Sequence, residues 1–78
     1  MAWKIVDLDG TKNGSNAAFS VPFTYLENTL TITHNNAAVY IKSSGTANAG
    51  EAIVVGSSVT MGTPPDSTDT LWCRGFQT

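Results

Sequence analysis

Hydrophobic side chains recur at every second position in much of this chain, and this period limits the possible folds more than any other feature. Leu30 and Ile32 alternate with threonines in the segment TLTITH, and Val39 and Ile41 alternate with polar neighbours in the segment AVYIK. Successive side chains of a β-strand point to opposite faces, so a period of two is the period of a half-buried strand. The alternation therefore predicts an all-β fold.

Turn signals divide the chain into short strands. The clearest local prediction is a β-hairpin over residues 29–42, because Asn35 and Asn36 tolerate the left-handed backbone of a tight turn. About six or seven short strands separated by turn signals predict a small antiparallel β-barrel or β-sandwich, formed by residues 1–78 as a single domain. The other predicted strands cover residues 3–8, 17–21, 51–55, 58–61 and 70–76, and residues 25–30 can form at most one helical turn. The predicted core residues are Phe19, Leu30, Ile32, Val39, Ile41, Val54, Val59 and Leu71.

The size of the chain predicts a need for reinforcement. A chain of 8.2 kDa buries roughly 60% of its unfolded surface, which leaves a small net stability. Cys73 is the single cysteine, and no cluster of Cys and His offers a structural metal site. Association with further copies or with a partner is the remaining common way to stabilise such a domain.

Charge is scarce and scattered. Charged residues make up 13% of the chain, against roughly 25% in an average soluble protein, and the net charge is -2. A surface with so little charge keeps a free monomer poorly soluble, but this matters less for a protein whose surface is covered by neighbouring subunits. The four basic residues are dispersed, which argues against nucleic-acid binding, and no apolar run is long enough to predict a membrane span. The first residues lack the pattern of a signal peptide, so we expect synthesis in a cytoplasm.

The residues that carry chemistry in other proteins have simpler interpretations here. His34 ends a strand at the hairpin turn, partly buried beside Leu30 and Ile32, with no nucleophile motif around it. Cys73 lies on the opposite strand face from Arg74, which favours a small buried hydrophobe over an activated thiol.

The acidic pairs do not predict a metal site. The segment that starts at Asp7 and Asp9 opens like a calcium-binding loop, but Lys12 and Ala18 occupy positions that such a loop reserves for glycine and glutamate. Asp66 and Asp69 lie in a loop of their own. We therefore predict no catalytic, cofactor or metal site, and no enzyme activity.

Two sets of residues match patterns from one class of viral proteins. The segment DGTKNGSNAAFSVP is similar to a pattern of the form DG-SN-x-x-F-T. The second half of the chain carries a VYI strand, a G-x-x-V-T strand and a closing D-x-L-W strand. The matching residues are Gly14, Ser15, Asn16 and Phe19, followed by Val39, Tyr40, Ile41, Gly56, Val59, Thr60, Asp69, Leu71 and Trp72. On these residues the chain resembles the small β-rich structural proteins of tailed bacteriophages.

This resemblance implies a component of the virion, namely a multi-copy capsid decoration (cement) protein that binds the capsid lattice. The implied partners are further copies of the chain, a trimer by analogy, and another virion protein such as a major capsid protein. One alternative is a tail-side component, such as a baseplate, neck or fibre-attachment module. A different alternative is a carbohydrate-binding module that stacks sugars on Trp3, Tyr40 or Trp72. The residues predicted to anchor interfaces are Trp3, Phe23, Tyr25, Trp72 and Phe76.

Overall fold

The computed structural model describes residues 2–78, so Met1, the first residue of the predicted domain, lies outside the described residues. Across these residues the protein is all-β, with eight strands and no helix. It follows that residues 2–78 contain no helix able to cross a membrane. The strands are β1 (Ala2–Asp7), β2 (Ala18–Ser20), β3 (Thr31–His34), β4 (Ala37–Ala38), β5 (Tyr40–Lys42), β6 (Glu51–Val55), β7 (Ser58–Met61) and β8 (Leu71–Gln77).

The strands form two four-stranded sheets. Sheet 1 has the order β1-β8-β3-β4, and sheet 2 has the order β2-β7-β6-β5. All neighbouring strands are antiparallel except β5 and β6, which are parallel. The longest pairing joins β1 to β8 over six residues, from Ala2 opposite Gln77 to Asp7 opposite Trp72. This pairing positions the surface described below.

The predicted hairpin is present, but its second half divides between the two sheets. Asn35 and Asn36 form the turn, and both have the positive φ that their short polar side chains tolerate. Strand β4 pairs with β3 for two residues, and Val39 still donates a backbone hydrogen bond to Ile32. The chain then enters sheet 2 as β5, where Tyr40 lies opposite Glu51. Residues 37–42 therefore supply an edge strand to both sheets.

Side chains from both sheets share one hydrophobic cluster. Four of the predicted core residues are buried, and the other four are partly buried and pack against the cluster. The prediction that Cys73 is a small buried hydrophobe is confirmed, since its side chain is fully buried. The buried hydrophobic residues are Leu8, Phe19, Val21, Ile32, Ala52, Val59, Met61, Leu71 and Cys73.

Two details of the predicted architecture are wrong. The strands do not form a closed barrel, because they divide into two separate four-stranded sheets. The crossover at Val39 and an isolated bridge between Asp9 and Ser20 connect the edges of these sheets. The number of strands is eight instead of six or seven, because the predicted strand that ends at Lys42 is split at Val39 into β4 and β5. Residues 25–30 contain an isolated bridge from Tyr25 to Gln77 and a turn in which the N–H of Thr29 donates to the carbonyl of Leu26, with no helical turn.

Candidate interaction surface

The outer face of sheet 1 carries aromatic and aliphatic side chains in adjacent strands. In β8, Leu71, Cys73 and Gly75 are buried towards the core, so the alternate residues point outwards. The strand register places Trp3 opposite Phe76 and Ile5 opposite Arg74 on this outer side. We call the resulting surface the aromatic face. Its members are Trp3, Ile5, Trp72, Arg74 and Phe76.

Direct contacts hold the aromatic face together. The rings of Trp3 and Phe76 meet edge to face, with centroids 5.5 Å apart and an interplanar angle of 86°. The guanidinium carbon of Arg74 lies 4.4 Å from the centroid of the Trp3 ring, a cation–π contact. Even so, Trp3 is 51% exposed and Ile5 is 61% exposed. A cluster of large apolar side chains with this exposure is typical of a protein-binding surface.

The other two predicted anchors lie on the opposite side of sheet 1. Phe23 and Tyr25 are partly buried against the core cluster, beside the backbone of Gly75. The Tyr25 hydroxyl donates a hydrogen bond of 2.7 Å to the carbonyl of Gly56, and burial, followed by the nearby Cys73 and Glu27, raises the pKa of Tyr25. The structure thus places three of the five predicted anchors on one face of sheet 1, with Trp3 and Phe76 in contact and Trp72 further along β8, and it separates Phe23 and Tyr25 from them.

An open groove lies next to Phe23 and Tyr25. It has a volume of about 840 Å³, and its walls include Leu30, Ile41 and Val54. The charged side chains of Glu27 and Lys42 also line it. The groove lies between residues 23–30 and strands β5 and β6, and no residue of the aromatic face lines it.

The aromatic residues considered for sugar binding do not form one platform. Tyr40 belongs to sheet 2, whereas Trp3 and Trp72 belong to sheet 1. Trp3 and Trp72 lie towards opposite ends of the β1–β8 pair, since Trp3 is opposite Phe76 and Trp72 is opposite Asp7. The Arg74 guanidinium occupies one face of the Trp3 ring. The geometry therefore gives less support to sugar stacking than to protein binding.

A hydrogen-bonded pair connects the hairpin turn to the loop before β8. His34 Nε2 lies 2.8 Å from Asp69 Oδ2, which also accepts the backbone N–H of Asp66 at 2.9 Å. The hydrogen bonds from His34, then Asn35, then Asp66 lower the pKa of Asp69 to about 2. Lys12 binds the same loop, because its Nζ donates to the Asp69 carbonyl at 2.6 Å. Sequence reasoning considered His34 and Asp69 separately, and nothing in their spacing of 35 residues indicated the pair.

We expect Asp69 to make the protein less stable in acid. The folded-state pKa of about 2 is lower than the ordinary value of 3.8, so its contribution is present above about pH 4 and is lost as the pH falls towards 2. The midpoint of urea unfolding, measured between pH 5 and pH 2, should fall more steeply in the native chain than in Asp69→Asn. Equal slopes in the two proteins would contradict this assignment.

Cys73 has none of the surroundings of a reactive thiol. Burial, followed by the charges of Asp7 and Asp9, raises its pKa to about 11. Its Sγ lies 3.6 Å from the carbonyl oxygen of Val6, within β1 and β8. A thiol with this pKa is protonated at neutral pH and is a poor nucleophile.

The loop that resembles the start of a calcium site is a set of tight turns. The Asn13 side chain accepts the backbone N–H groups of Ser15 and Asn16 at 2.9 and 2.8 Å. Asn16 in turn donates to the carbonyls of Thr11 and Ala18. Within residues 2–78, no three His, Cys, Asp or Glu side chains are close enough together to hold a metal ion.

Sequence reasoning missed one member of the aromatic face. Ile5 was treated as part of a strand and not as a contact residue, although alternation from Trp3 places it on the same side. That alternation was the available signal, and the register with β8 shows that this side of β1 is the outer one. Comparisons of this chain with protein-family models, with curated proteins and with solved structures found no match.

Proposed function

We propose that this chain is a binding module that is assembled into a larger structure, and that this structure is a bacteriophage virion. The observation that carries the proposal is the aromatic face of sheet 1. Trp3 and Ile5 remain more than half exposed there, beside Phe76 and Arg74. Exposure of such residues to water does not stabilise a monomer in solution. When a docking partner covers them, their transfer out of water contributes favourably to the free energy of binding.

The chemistry of the face defines the kind of partner. A Trp–Phe pair with an arginine on the indole suits an apolar patch that has a carboxylate at its margin. Trp, Phe and Arg are enriched at the centre of protein interfaces. The low content of charged residues, 13%, also fits a protein whose surface neighbours cover.

The virion assignment depends on the resemblance to small structural proteins of tailed bacteriophages. Within that class, the proposed role is a multi-copy capsid decoration protein, which attaches to a major capsid protein and to copies of itself and performs no catalytic step. For the fold, the corresponding finer description is a small β-sandwich. Repetition over a lattice multiplies weak contacts into firm attachment, because each bound copy raises the effective concentration of the next contact.

A tail-side role is the alternative within the same class. It differs from the capsid role in copy number, since a baseplate or neck component occurs in few copies and a decoration protein in hundreds. Quantitative mass spectrometry of purified particles of the encoding phage would separate the two roles. Absence of the chain from those particles would overturn the virion proposal.

We expect Trp3→Ala to weaken attachment to the particle by about tenfold or more, because a central tryptophan is commonly a dominant contact in an interface. Binding of the purified variant to particles stripped of the native chain would measure this effect. The matched control is Tyr40→Ala, which removes a 67% exposed aromatic side chain from sheet 2 and should leave attachment unchanged. An equal loss in both variants would argue against the aromatic face.

A further inference from the structure

One of the four edge strands in the fold differs from the others in length. The edges of the sheets are β1 and β4 in sheet 1, and β2 and β5 in sheet 2. Three of these strands have two or three residues, whereas β1 has six. Short edge strands protect a sheet against pairing with other chains. Strand β1 lacks this protection, and its sequence AWKIVD contains no proline or glycine that would interrupt pairing.

The hydrogen bonds at the end of β1 show which of its backbone groups face outwards. The N–H of Leu8 donates to the carbonyl of Leu71, whereas Asp9 exchanges two hydrogen bonds with Ser20 on the other side. In an antiparallel strand these directions alternate from residue to residue. The even-numbered residues of β1 therefore bond to β8, and the N–H and C=O groups of Trp3, Ile5 and Asp7 point to the free edge. Within residues 2–78, no strand pairs with that edge.

We propose that two copies of this chain pair through their β1 strands, antiparallel about a twofold axis at Ile5. This register places Ile5 opposite Ile5 of the second copy, and Trp3 opposite the second copy's Asp7. All three outward-facing residues of each strand then find a partner, which gives six backbone hydrogen bonds. The two copies of sheet 1 become one continuous sheet of eight strands. The inference deepens the proposed function by identifying the strand and the register through which two copies pair, and it rests on that function.

Charge and backbone pairing favour this register over its neighbours. A shift by two residues in one direction puts Lys4 opposite Lys4 of the second copy and, among residues 2–78, retains four of the six hydrogen bonds. A shift in the other direction also retains four, because Trp3 would then face Asp9, whose backbone already bonds to Ser20. With the axis at Ile5, Lys4 lies opposite Val6, and the second copy's Asp7 lies beside the indole that carries Arg74. Opposite charges in neighbouring cross-strand positions stabilise a sheet, and like charges destabilise it.

A single strand edge buries less area than a standard protein interface, so we expect a weak dimer with a dissociation constant of roughly 10 to 100 μM. Twofold pairing gives even-numbered assemblies, and this proposal replaces the trimer that analogy suggested. In a lattice of many copies, the same weak pairing would be strengthened by proximity.

The first experiment compares two lysine substitutions by light scattering and sedimentation, over concentrations from about 10 μM to about 1 mM. Ile5→Lys places two ammonium groups on the axis and should raise the dissociation constant by about tenfold or more. Val55→Lys is the matched control, because Val55 is 62% exposed in β6, against 61% for Ile5 in β1, and it should leave the dimer intact. Circular dichroism and thermal melting establish that both variants are folded.

The second experiment tests the register. A mixture of Trp3→Cys and Asp7→Cys chains should form a disulfide on mild oxidation, since the two positions lie opposite each other. Trp3→Cys alone should not, because its two copies would be about 14 Å apart along the strands. The native chain, whose single cysteine Cys73 is buried, gives the background level of cross-linking. Cross-linking of Trp3→Cys alone to the same extent as the mixture would overturn the proposed register.

Two further outcomes separate this inference from the proposed function. A chain that stays monomeric up to about 1 mM, or that forms trimers, overturns the edge dimer, while attachment to the particle through the aromatic face remains measurable. A dimer that survives Ile5→Lys also overturns it. Absence of the chain from purified particles overturns the proposed function and leaves the dimer measurement valid.

Discussion

Leu71→Ala is expected to remove most or all of the stability of the fold at 25 °C. Leu71 is 2% exposed at the start of β8, the strand that joins β1 to β3, and lies in the cluster shared by both sheets. Removal of a buried leucine side chain costs about 2 to 5 kcal/mol, through lost transfer free energy and the cavity that remains. A core of this size typically provides roughly 3 to 5 kcal/mol of net stability, so the substitution removes most or all of it.

Urea unfolding monitored by tryptophan fluorescence would measure the loss for Leu71→Ala. The matched control is Leu26→Ala. This substitution removes the same atoms as Leu71→Ala, but from a side chain that is 53% exposed and lies outside the core. We expect the control to change the free energy of unfolding by about 0.5 kcal/mol or less. A Leu71→Ala chain with native stability would contradict the packing described for β8.

Gly62→Ala is expected to have an effect of similar size for a different reason. A Cβ atom at position 62 would overlap the backbone carbonyl of Asn48, and the atoms in contact are main chain instead of a flexible side chain. The segments cannot easily separate, because the N–H of Gly62 donates to the carbonyl of Glu51 at 2.8 Å, and Glu51 donates to the carbonyl of Asn48 at 2.9 Å. We expect a loss of about 2 kcal/mol or more, since the strain of overpacking adds to broken hydrogen bonds.

The control for this prediction is another glycine that has space around it. Gly56 has a φ of 60° with no atom near the position of a Cβ, and asparagine adopts this φ more readily than other residues. Gly56→Asn should therefore melt close to the temperature of the native chain. Thermal melting by circular dichroism would compare the two variants, and a large loss in Gly56→Asn with none in Gly62→Ala would refute the argument from close approach.

Local features of the fold could be predicted from the sequence because strands and turns are encoded in neighbouring residues. The alternation around Ile32 and Leu71 identified buried positions, and the two asparagines of the hairpin turn have the positive φ that their side chains predict. Gly62 shows the limit of this reasoning. Position 62 must lack a Cβ atom because the fold brings the backbone of Asn48 against it, and Asn48 is distant in the sequence.

The arrangement of strands between sheets could not be predicted in the same way. Residues 38–42 alternate as one strand, yet the chain leaves sheet 1 at Val39 and pairs with β6 in parallel. Such a crossover leaves the period of two unchanged, so the alternation of hydrophobic residues does not indicate where the chain changes sheet. For the same reason the sequence identified Trp3, Trp72 and Phe76 as anchors but could not separate them from Phe23 and Tyr25, which the fold packs against the inner side of β8 at Gly75.

The crossover at Val39 has a mechanical consequence for the domain. Because residues 37–42 border both sheets, and the Asp9–Ser20 bridge ties the opposite borders, a force that pulls on either layer is carried into the other. Neither layer can peel away by itself without first breaking a segment that belongs to both. We expect such a domain to resist load as a unit and to fail all at once.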